Sequence, residues 1–385
     1  MDTKELRKQA ILMYLRGMAA SYICKTLTCS RPWFYKWLKR YQMDPTGDWF
    51  IEHSRRPLNV ARRIDGDTEN IIIRIRHNLE NMSYAQIGAI SIQWELHKMD
   101  IEPPPVWTIN RIIKRRGLRL KKDKIIRREN EYPNYGVDAL QQMDLVGPRY
   151  IKKRRIYFCN VIAVDSHCVQ INPISSKASQ DVVPAIVRFW QDFGIPDYFQ
   201  MDNELSFHGS NQYPHSFGKL IRLVLSQGVT PLFIPQKEPW RNGIIEKFND
   251  TFDKKFFRTQ IFVDVEALIE QCSEFEQFHN FNYRYSVNQN KTPLQVHKLN
   301  PPYRYLEKNY QLPDKIQIGS GKVILIRFIR SDRRLNVFGE IFMVIPELVY
   351  HYVEAIISVD RQSLGVYLDN QLVQQFPYFV PVDWV

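Results

Sequence analysis

The chain has 385 residues, more than one hydrophobic core usually supports, so two to four domains are expected. Its 44% hydrophobic and 13% aromatic content is ample for globular cores, and no apolar run resembles a signal peptide or is long enough to span a bilayer, which argues against a secreted or membrane-spanning protein. The net charge of +12 points toward a polyanion and is unevenly spread: residues 1–135 hold 26 Lys and Arg against 15 Asp and Glu, the remainder 27 against 26. That asymmetry suits a nucleic-acid-binding arm on a neutral core, although a surface with a basic bias gives the same count. Five cysteines, Cys24, Cys29, Cys159, Cys168 and Cys272, form no C-x-x-C pair and are odd in number, which reads as reduced thiols in a cytosolic protein.

The N-terminal segment, residues 1–45, reads as three helices. Ala10, Ile11, Tyr14, Leu15 and Met18 recur at helical spacing, and a short unit follows through Ile23 and Leu27. Thr28-Cys29-Ser30 then supplies a turn and an N-cap for a helix from Arg31 to Tyr41 with Phe34, Trp37 and Leu38 inward. This is a helix-turn-helix pattern whose last helix carries Arg31, Lys36, Lys39 and Arg40 mostly away from the apolar stripe, toward a DNA groove; a small structural bundle is the alternative.

Residues 46–66 have linker composition. A second helical unit covers 67–118: Thr68 caps a helix through Ile71, Ile72, Ile73 and Ile75, and Ser83 starts another through Ile87 and Ile90. After Pro103-Pro104-Pro105, a helix from Val106 to about Arg116 turns Ile109, Ile112 and Ile113 inward and Arg111, Lys114, Arg115 and Arg116 outward. Two tandem basic helix-turn-helix units suggest recognition of an extended duplex. A basic linker, 119–134, follows and includes Lys121 and Lys122; such a run crosses phosphates or is simply solvated.

Beyond Tyr132 the pattern becomes mixed. Leu140 to Leu145, Tyr157 to Val164 and Val169 to Ile174 read as strands, and Ser179 caps a helix with Val182, Val183, Ile186, Val187 and Trp190 inward. Strand Asp197 to Met201, helix Gly218 to Ser226, strand Thr230 to Phe233 and a long helix from Asn242 to about Thr259 complete an α/β layer arrangement within 135–300. In residues 315–385 the short apolar runs Val323 to Ile329, Ile341 to Ile345, Tyr352 to Ile357, Leu364 to Leu368 and Leu372 to Phe376 suggest a small β-barrel.

Three acids stand at informative places: Asp144 in the first strand, Asp202 just after Tyr198 to Met201, and Glu246 in the first turns of the long helix. Carboxylates so placed can point into one crevice, where hard oxygen ligands hold Mg²⁺ or Mn²⁺, and two ions about 4 Å apart activate the attacking oxygen and stabilise the leaving one in phosphodiester chemistry. With 41 Asp and Glu in the chain, placement alone is better accounted for by acids at loop ends by chance.

The surrounding residues add to this. Asp202-Asn203 through Phe207, then Pro239-Trp240-Arg241-Asn242-Gly243-x-x-Glu246-Lys247-Phe248-Asn249, with Arg284 and Lys291-Thr292-Pro293, resembles the catalytic core of the retroviral-integrase and bacterial insertion-sequence transposase superfamily, the DDE group with a ribonuclease H-like fold. The resemblance covers roughly 135–300, and the helix-turn-helix pair and β-rich tail match the layout of such transposases. It implies Asp144, Asp202 and Glu246 as catalytic metal ligands, a bound pair of Mg²⁺ or Mn²⁺ ions, and an Asn242-Gly243 turn opening the catalytic helix, where Gly relaxes backbone limits. Lys247, Lys254 and Lys255 then touch substrate phosphates or are merely solvated. The implied partners are double-stranded element ends and target DNA, bound by a homo-oligomer, at least a dimer, in a bacterial or archaeal cytoplasm at the nucleoid, with no membrane.

This sequence departs from the family pattern at Glu204, where Gly often follows Asp-Asn. This extra carboxylate reads as a surface residue or a group behind the ligands, with a fourth ligand as the other option. Between Asp202 and Glu246 lie 43 residues, more than is common, with His208 to His215 as the inserted loop. The zinc-binding His and Cys pairs of retroviral integrases are missing from the N-terminus, so no zinc is expected. The resulting expectation is a DNA transposase; a DNA-binding relic of one, or a metal-dependent nuclease without strand transfer, are the alternatives.

Overall fold

The N-terminal helices form as their spacing predicts. In a computed structural model, which describes residues 2–52, 64–119, 132–133, 135–136, 140–204 and 215–381, they are α1 (Thr3–Leu15), α2 (Ala20–Thr26) and α3 (Arg31–Met43). Ser30 Oγ accepts the Trp33 backbone N–H at 3.3 Å and so caps α3, whose Phe34, Trp37 and Leu38 are buried. Ala10, Ile11 and Ile23 close the core from the other two helices, whereas Leu15 is exposed. Residues 1–65 are one compact unit and residues 66–385 a second.

The second unit opens with α4 (Gly66–Asn81), α5 (Ala89–Lys98) and α6 (Val106–Arg115). α4 begins two residues before Thr68, and α5 begins at Ala89, six residues past Ser83. The delay has a packing reason: the Tyr84 ring leaves the helical bundle and sits edge-on against Phe275 and Phe278 of the α/β layer, while its carbonyl accepts from Tyr283 Oη at 2.8 Å. Ile109, Ile112 and Ile113 of α6 are buried as expected.

The core sheet contains β1 (Leu140–Ile151), β2 (Arg154–Ala163) and β3 (Val169–Ile174), antiparallel in turn, then α7 (Ser179–Phe193), β4 (Tyr198–Met201), α8 (Lys219–Ser226), β5 (Thr230–Phe233) and α9 (Gly243–Phe252). β4 and β5 run parallel to β1. The N-cap of α7 is Ala178 rather than Ser179, because the preceding turn is tied by Asp181, which accepts from the Ser175 and Ser176 hydroxyls. Gly194 ends α7 at φ +85°, and a Cβ there would strike Pro302.

Strand alternation sorts the layers. Odd positions Met143, Leu145, Cys159, Val161, Phe199 and Met201 join α7 and α8 in one apolar cluster. On the other face Phe158 and Ile162 pack with Ile245, Phe248 and Phe252 of α9 and with Cys272 and Phe275 of α10 (Val265–Asn282). Each fully buried Phe contributes roughly 2 kcal/mol. A last short helix, α11 (Pro293–Leu299), starts at a Thr292 capping box with Gln295, which explains Thr292-Pro293 as a helix start.

The tail does not form a separate small barrel. β6 (Lys322–Phe328) pairs in parallel with β5, and β9 (Tyr352–Ser358), β10 (Ser363–Leu368) and β11 (Gln371–Pro377) add antiparallel beyond it, giving one nine-stranded open sheet in the order β11-β10-β9-β6-β5-β4-β1-β2-β3. A hairpin of β7 (Arg334–Val337) and β8 (Glu340–Met343) stands apart. The reason lies in β6: Val323 through Arg327 are buried on both faces, so the strand needs cover on both sides and neighbours at both edges. Its Val323 and Leu325, with Val353, Ala355, Leu364 and Val366, continue the cluster under α7 and α8.

Candidate functional site

Gln142 and Asp144 of β1 and Gln200 of β4 are polar residues at even positions, on the side of α9. Parallel pairing sets Gln142 beside Gln200; Asp144 lies two residues further along β1, and Asp202 directly follows the last residue of β4. Asn160 of β2 lies opposite Asp144 on the other side. α9 is clamped over this face by buried amides. Gln142 Oε1 accepts the Ile245 N–H at 3.0 Å, Asn242 Nδ2 donates to the Met143 carbonyl at 3.0 Å, and Gln200 Nε2 donates to the Arg241 carbonyl at 3.0 Å and to Asn242 Oδ1 at 3.1 Å. These bonds hold Glu246, in the first turn of α9, over the strand ends.

Asn249, one turn beyond Glu246, links the pieces: its Nδ2 donates to Asp144 Oδ2 at 2.7 Å and its Oδ1 accepts from Asn160 Nδ2 at 2.8 Å. Asp144 Oδ1 accepts its neighbour's N–H from Leu145 at 2.9 Å. Burial, with the charges of Asp202 and Glu246, pushes the Asp144 carboxyl up to about 6. Burial also raises Asp202, with Glu204 adding to the rise and Lys177 opposing it, and burial raises Glu246. Asp144 thus feels the charges of both other acids. Among the described residues, no three His, Cys, Asp or Glu side chains are already disposed to hold a metal ion.

The Asp202 turn is held by other groups. Asp202 Oδ1 accepts the Glu204 N–H at 3.1 Å, and Glu204 pairs with Lys177 at 2.6 Å. Asn203 Nδ2 donates to the Ile234 carbonyl at 2.5 Å, and its Oδ1 accepts from Arg327 at 2.6 Å. Gly243 has φ −63°, and open space where a Cβ would stand, so the turn into α9 does not need a glycine backbone. That expectation from the sequence is corrected: the turn is fixed instead by the bonds of the Asn242 side chain to Met143 and Gln200.

The candidate DNA-contacting cations divide. On α3, Arg31 and Lys39 are exposed, whereas Lys36 pairs with Glu52 at 2.7 Å and Arg40 donates to the Ile51 carbonyl at 3.1 Å, both lying along the Trp37 ring. On α6, Arg111 and Lys114 are exposed, while Arg115 and Arg116 both pair with Glu69. Lys247 and Lys254 both reach Asp250, at 3.0 and 2.6 Å. Lys121 and Lys122, and most of the His208 to His215 loop, lie outside the described residues. Arg284 is a clamp between layers, stacked at 3.6 Å on Trp94, with its backbone paired to the Gln86 side chain.

Asn249 stands in the motif quoted from the sequence, with no role assigned to it there, and the strand amides Gln142, Asn160 and Gln200 escaped sequence reasoning. Their signal was a polar residue recurring on one face of otherwise apolar strands. The five cysteines are free, and among the described residues no helix is long and apolar enough to cross a membrane.

Residues 7–69 match the family model described as a winged helix-turn helix, a stretch that begins within α1, includes α2 and α3 and runs through the linker composition into α4. The chain is similar to the HTLV-2 integrase catalytic core domain in complex with magnesium (dimeric form), at 16% identity and TM-score 0.32 over 42% of this chain and 96% of that one. It is similar to the BIV integrase catalytic core domain at 16% identity and TM-score 0.32, over 42% and 95%. A chain of the simian T-cell lymphotropic virus intasome in complex with PP2A regulatory subunit B56 gamma is similar at 12% identity and TM-score 0.37, over 77% of this chain and 99% of that one. No curated protein matches the sequence.

Proposed function

We propose that the protein is a DNA transposase or integrase, a polynucleotidyl transferase with Asp144, Asp202 and Glu246 as its catalytic carboxylates. The observation that carries this reading is the crowding of acids: Asp144 on β1, Asp202 directly after the parallel strand β4, Glu246 on a helix tied to β1 through Gln142, and an Asp144 carboxyl pushed up to about 6 by burial and the charges of the other two. Buried like charges kept together without a matching cation are costly, and such costs concentrate at functional sites.

The donor set fits a hard divalent cation, since three carboxylates offer oxygen ligands and their mutual repulsion is what such an ion relieves. Asp144, Asp202 and Glu246 would hold it, and Mg²⁺ or Mn²⁺, as two ions, would supply Lewis-acid activation of the attacking and leaving oxygens. Asn249 and the Glu204 backbone N–H orient the Asp144 and Asp202 carboxylates that would hold it. In the first step a water oxygen attacks phosphorus, the bond to the 3′-oxygen breaks, and that oxygen takes a proton. In the second the freed 3′-hydroxyl attacks a target phosphodiester in the same in-line way, with no covalent enzyme intermediate. DNA is gripped by the helix-turn-helix unit through the exposed Arg31 and Lys39, and along α6 through Arg111 and Lys114, in an oligomer that brings two DNA ends together.

The test incubates the full chain and Mg²⁺ with labelled duplexes taken from the DNA that flanks its coding sequence, beside Asp144→Asn, Asp202→Asn and Glu246→Gln. Nicked and joined products from wild type alone are expected. Binding without products makes the protein a relic; nicking without joining makes it a nuclease; full activity in any single variant removes that residue from the site.

A further inference from the structure

Arg327 lies on β6, far along the sequence from the acids, and is only 5% exposed. Its guanidinium hydrogen-bonds to neutral oxygens: Nη2 to Asn203 Oδ1 at 2.6 Å, Nη1 to the Ile234 carbonyl at 3.1 Å and Nε to the Asn336 carbonyl at 2.9 Å. Burial pushes its pKa down to about 10. A buried cation bonded only through neutral groups is expensive, and an apolar side chain would fill a β-strand interior at lower cost, so the fork must do something that packing does not.

What it does is close a triangle. Asn203 Nδ2 donates to the same Ile234 carbonyl that Arg327 bonds, so the side chain of the residue after Asp202 is gripped from both ends, against the end of β5 and against β6. Asp202 in turn bonds the Glu204 N–H within the same turn. We propose that Arg327 is a positioning residue for the acidic site: acting through Asn203, it fixes the turn that presents Asp202 next to Asp144. The C-terminal strands are then part of the catalytic apparatus and not an appended DNA-contacting module. This rests on the reading of Asp202 as a metal-holding group.

The test follows Mn²⁺ binding to the full chain without DNA by electron paramagnetic resonance, with thermal unfolding and DNA binding as controls. Arg327→Met and Asn203→Ala are each expected to weaken Mn²⁺ binding by about tenfold or more while leaving DNA binding unchanged. The double variant should be no weaker than the worse single one, because both act through one link, and Arg327→Lys should recover part of the loss. Unchanged Mn²⁺ affinity in folded Arg327→Met, or additive losses in the double variant, would overturn the proposal. Should Arg327→Met not fold, Asn203→Ala decides alone, and wild-type affinity there overturns it. If wild type binds no Mn²⁺, or Asp202→Asn binds it as well as wild type, the metal reading of Asp202 fails and this proposal falls with it, told apart by that control.

Discussion

The two arms of the acidic site are built from different chemistry. Asp144 and Glu246 are held by neutral amides, Gln142, Asn160, Asn242 and Asn249, which orient carboxylates without cancelling their charge. The Asp202 turn is held by charged groups, with Arg327 bonded to Asn203 and Lys177 paired to Glu204. Burial first, and then the charges of Asp202 and Glu246, which neutral amides do not cancel, hold the Asp144 carboxyl high, and a cation would relieve that repulsion. A charged scaffold compensates part of it, as Lys177 does for Asp202.

The largest expected effect tests the uncompensated arm. Asp144→Asn should lower strand cleavage by about 10³-fold or more, the loss of several kcal/mol of charge stabilisation. The same change should stabilise the metal-free protein. The folded carboxyl titrates near 6 and the unfolded one near 3.8, so the folded state binds more protons between those values and stability falls as pH rises through that window. Above it the cost is about 3 kcal/mol, which the variant escapes. Urea unfolding without metal at pH 4 and pH 7.5 measures this as a difference from Asp144→Asn, since Glu276, pushed up to about 7 by burial, is common to both. Equal pH dependence in the two proteins would mean that the amide arm is not storing repulsion. Activity should rise with pH through about 6, as Asp144 loses its proton.

A middle effect is expected at Asn249, whose amide joins Asp144 to Asn160. Asn249→Ala removes a donor that favours the charged carboxylate, so the midpoint of the pH–activity curve should move upward and the rate at neutral pH fall by about tenfold. A lower rate with an unmoved midpoint would reduce Asn249 to packing.

Much of the strand and helix inventory was legible because each element buries an apolar run with its own period: Val169 to Ile174 and Thr230 to Phe233 coincide with β3 and β5. How the strands assemble was not legible. β6 meets β5 across roughly ninety residues of chain, and no local pattern in Lys322–Phe328 distinguishes a barrel strand from a sheet extension. The acids were visible through the residues around them, but their supports were not. Asn160 within Phe158 to Ile162 looks like a flaw in a strand until α9 covers it, and Arg327 looks like a surface cation until β9 and Asn203 enclose it. Lys36, Arg40, Arg115 and Arg116 illustrate the converse, since basic faces of helices were read as free for DNA while Glu52, Glu69 and a backbone carbonyl engage them.

The smallest effect belongs to Glu204, on the charged arm. Its ion pair with Lys177 is part-exposed on both sides, so Glu204→Gln should cost less than about 1 kcal/mol, and less still at high salt. Two consequences for Asp202 then oppose one another in metal binding. Removing the Glu204 charge takes away repulsion that raises the Asp202 carboxyl, and it frees Lys177, a cation that competes with a metal for the same field. Mn²⁺ affinity should therefore change little, within about threefold either way. A loss as deep as that of Asp202→Asn would make Glu204 a ligand in its own right, and the charged arm would then hold the metal rather than steady the residue that does.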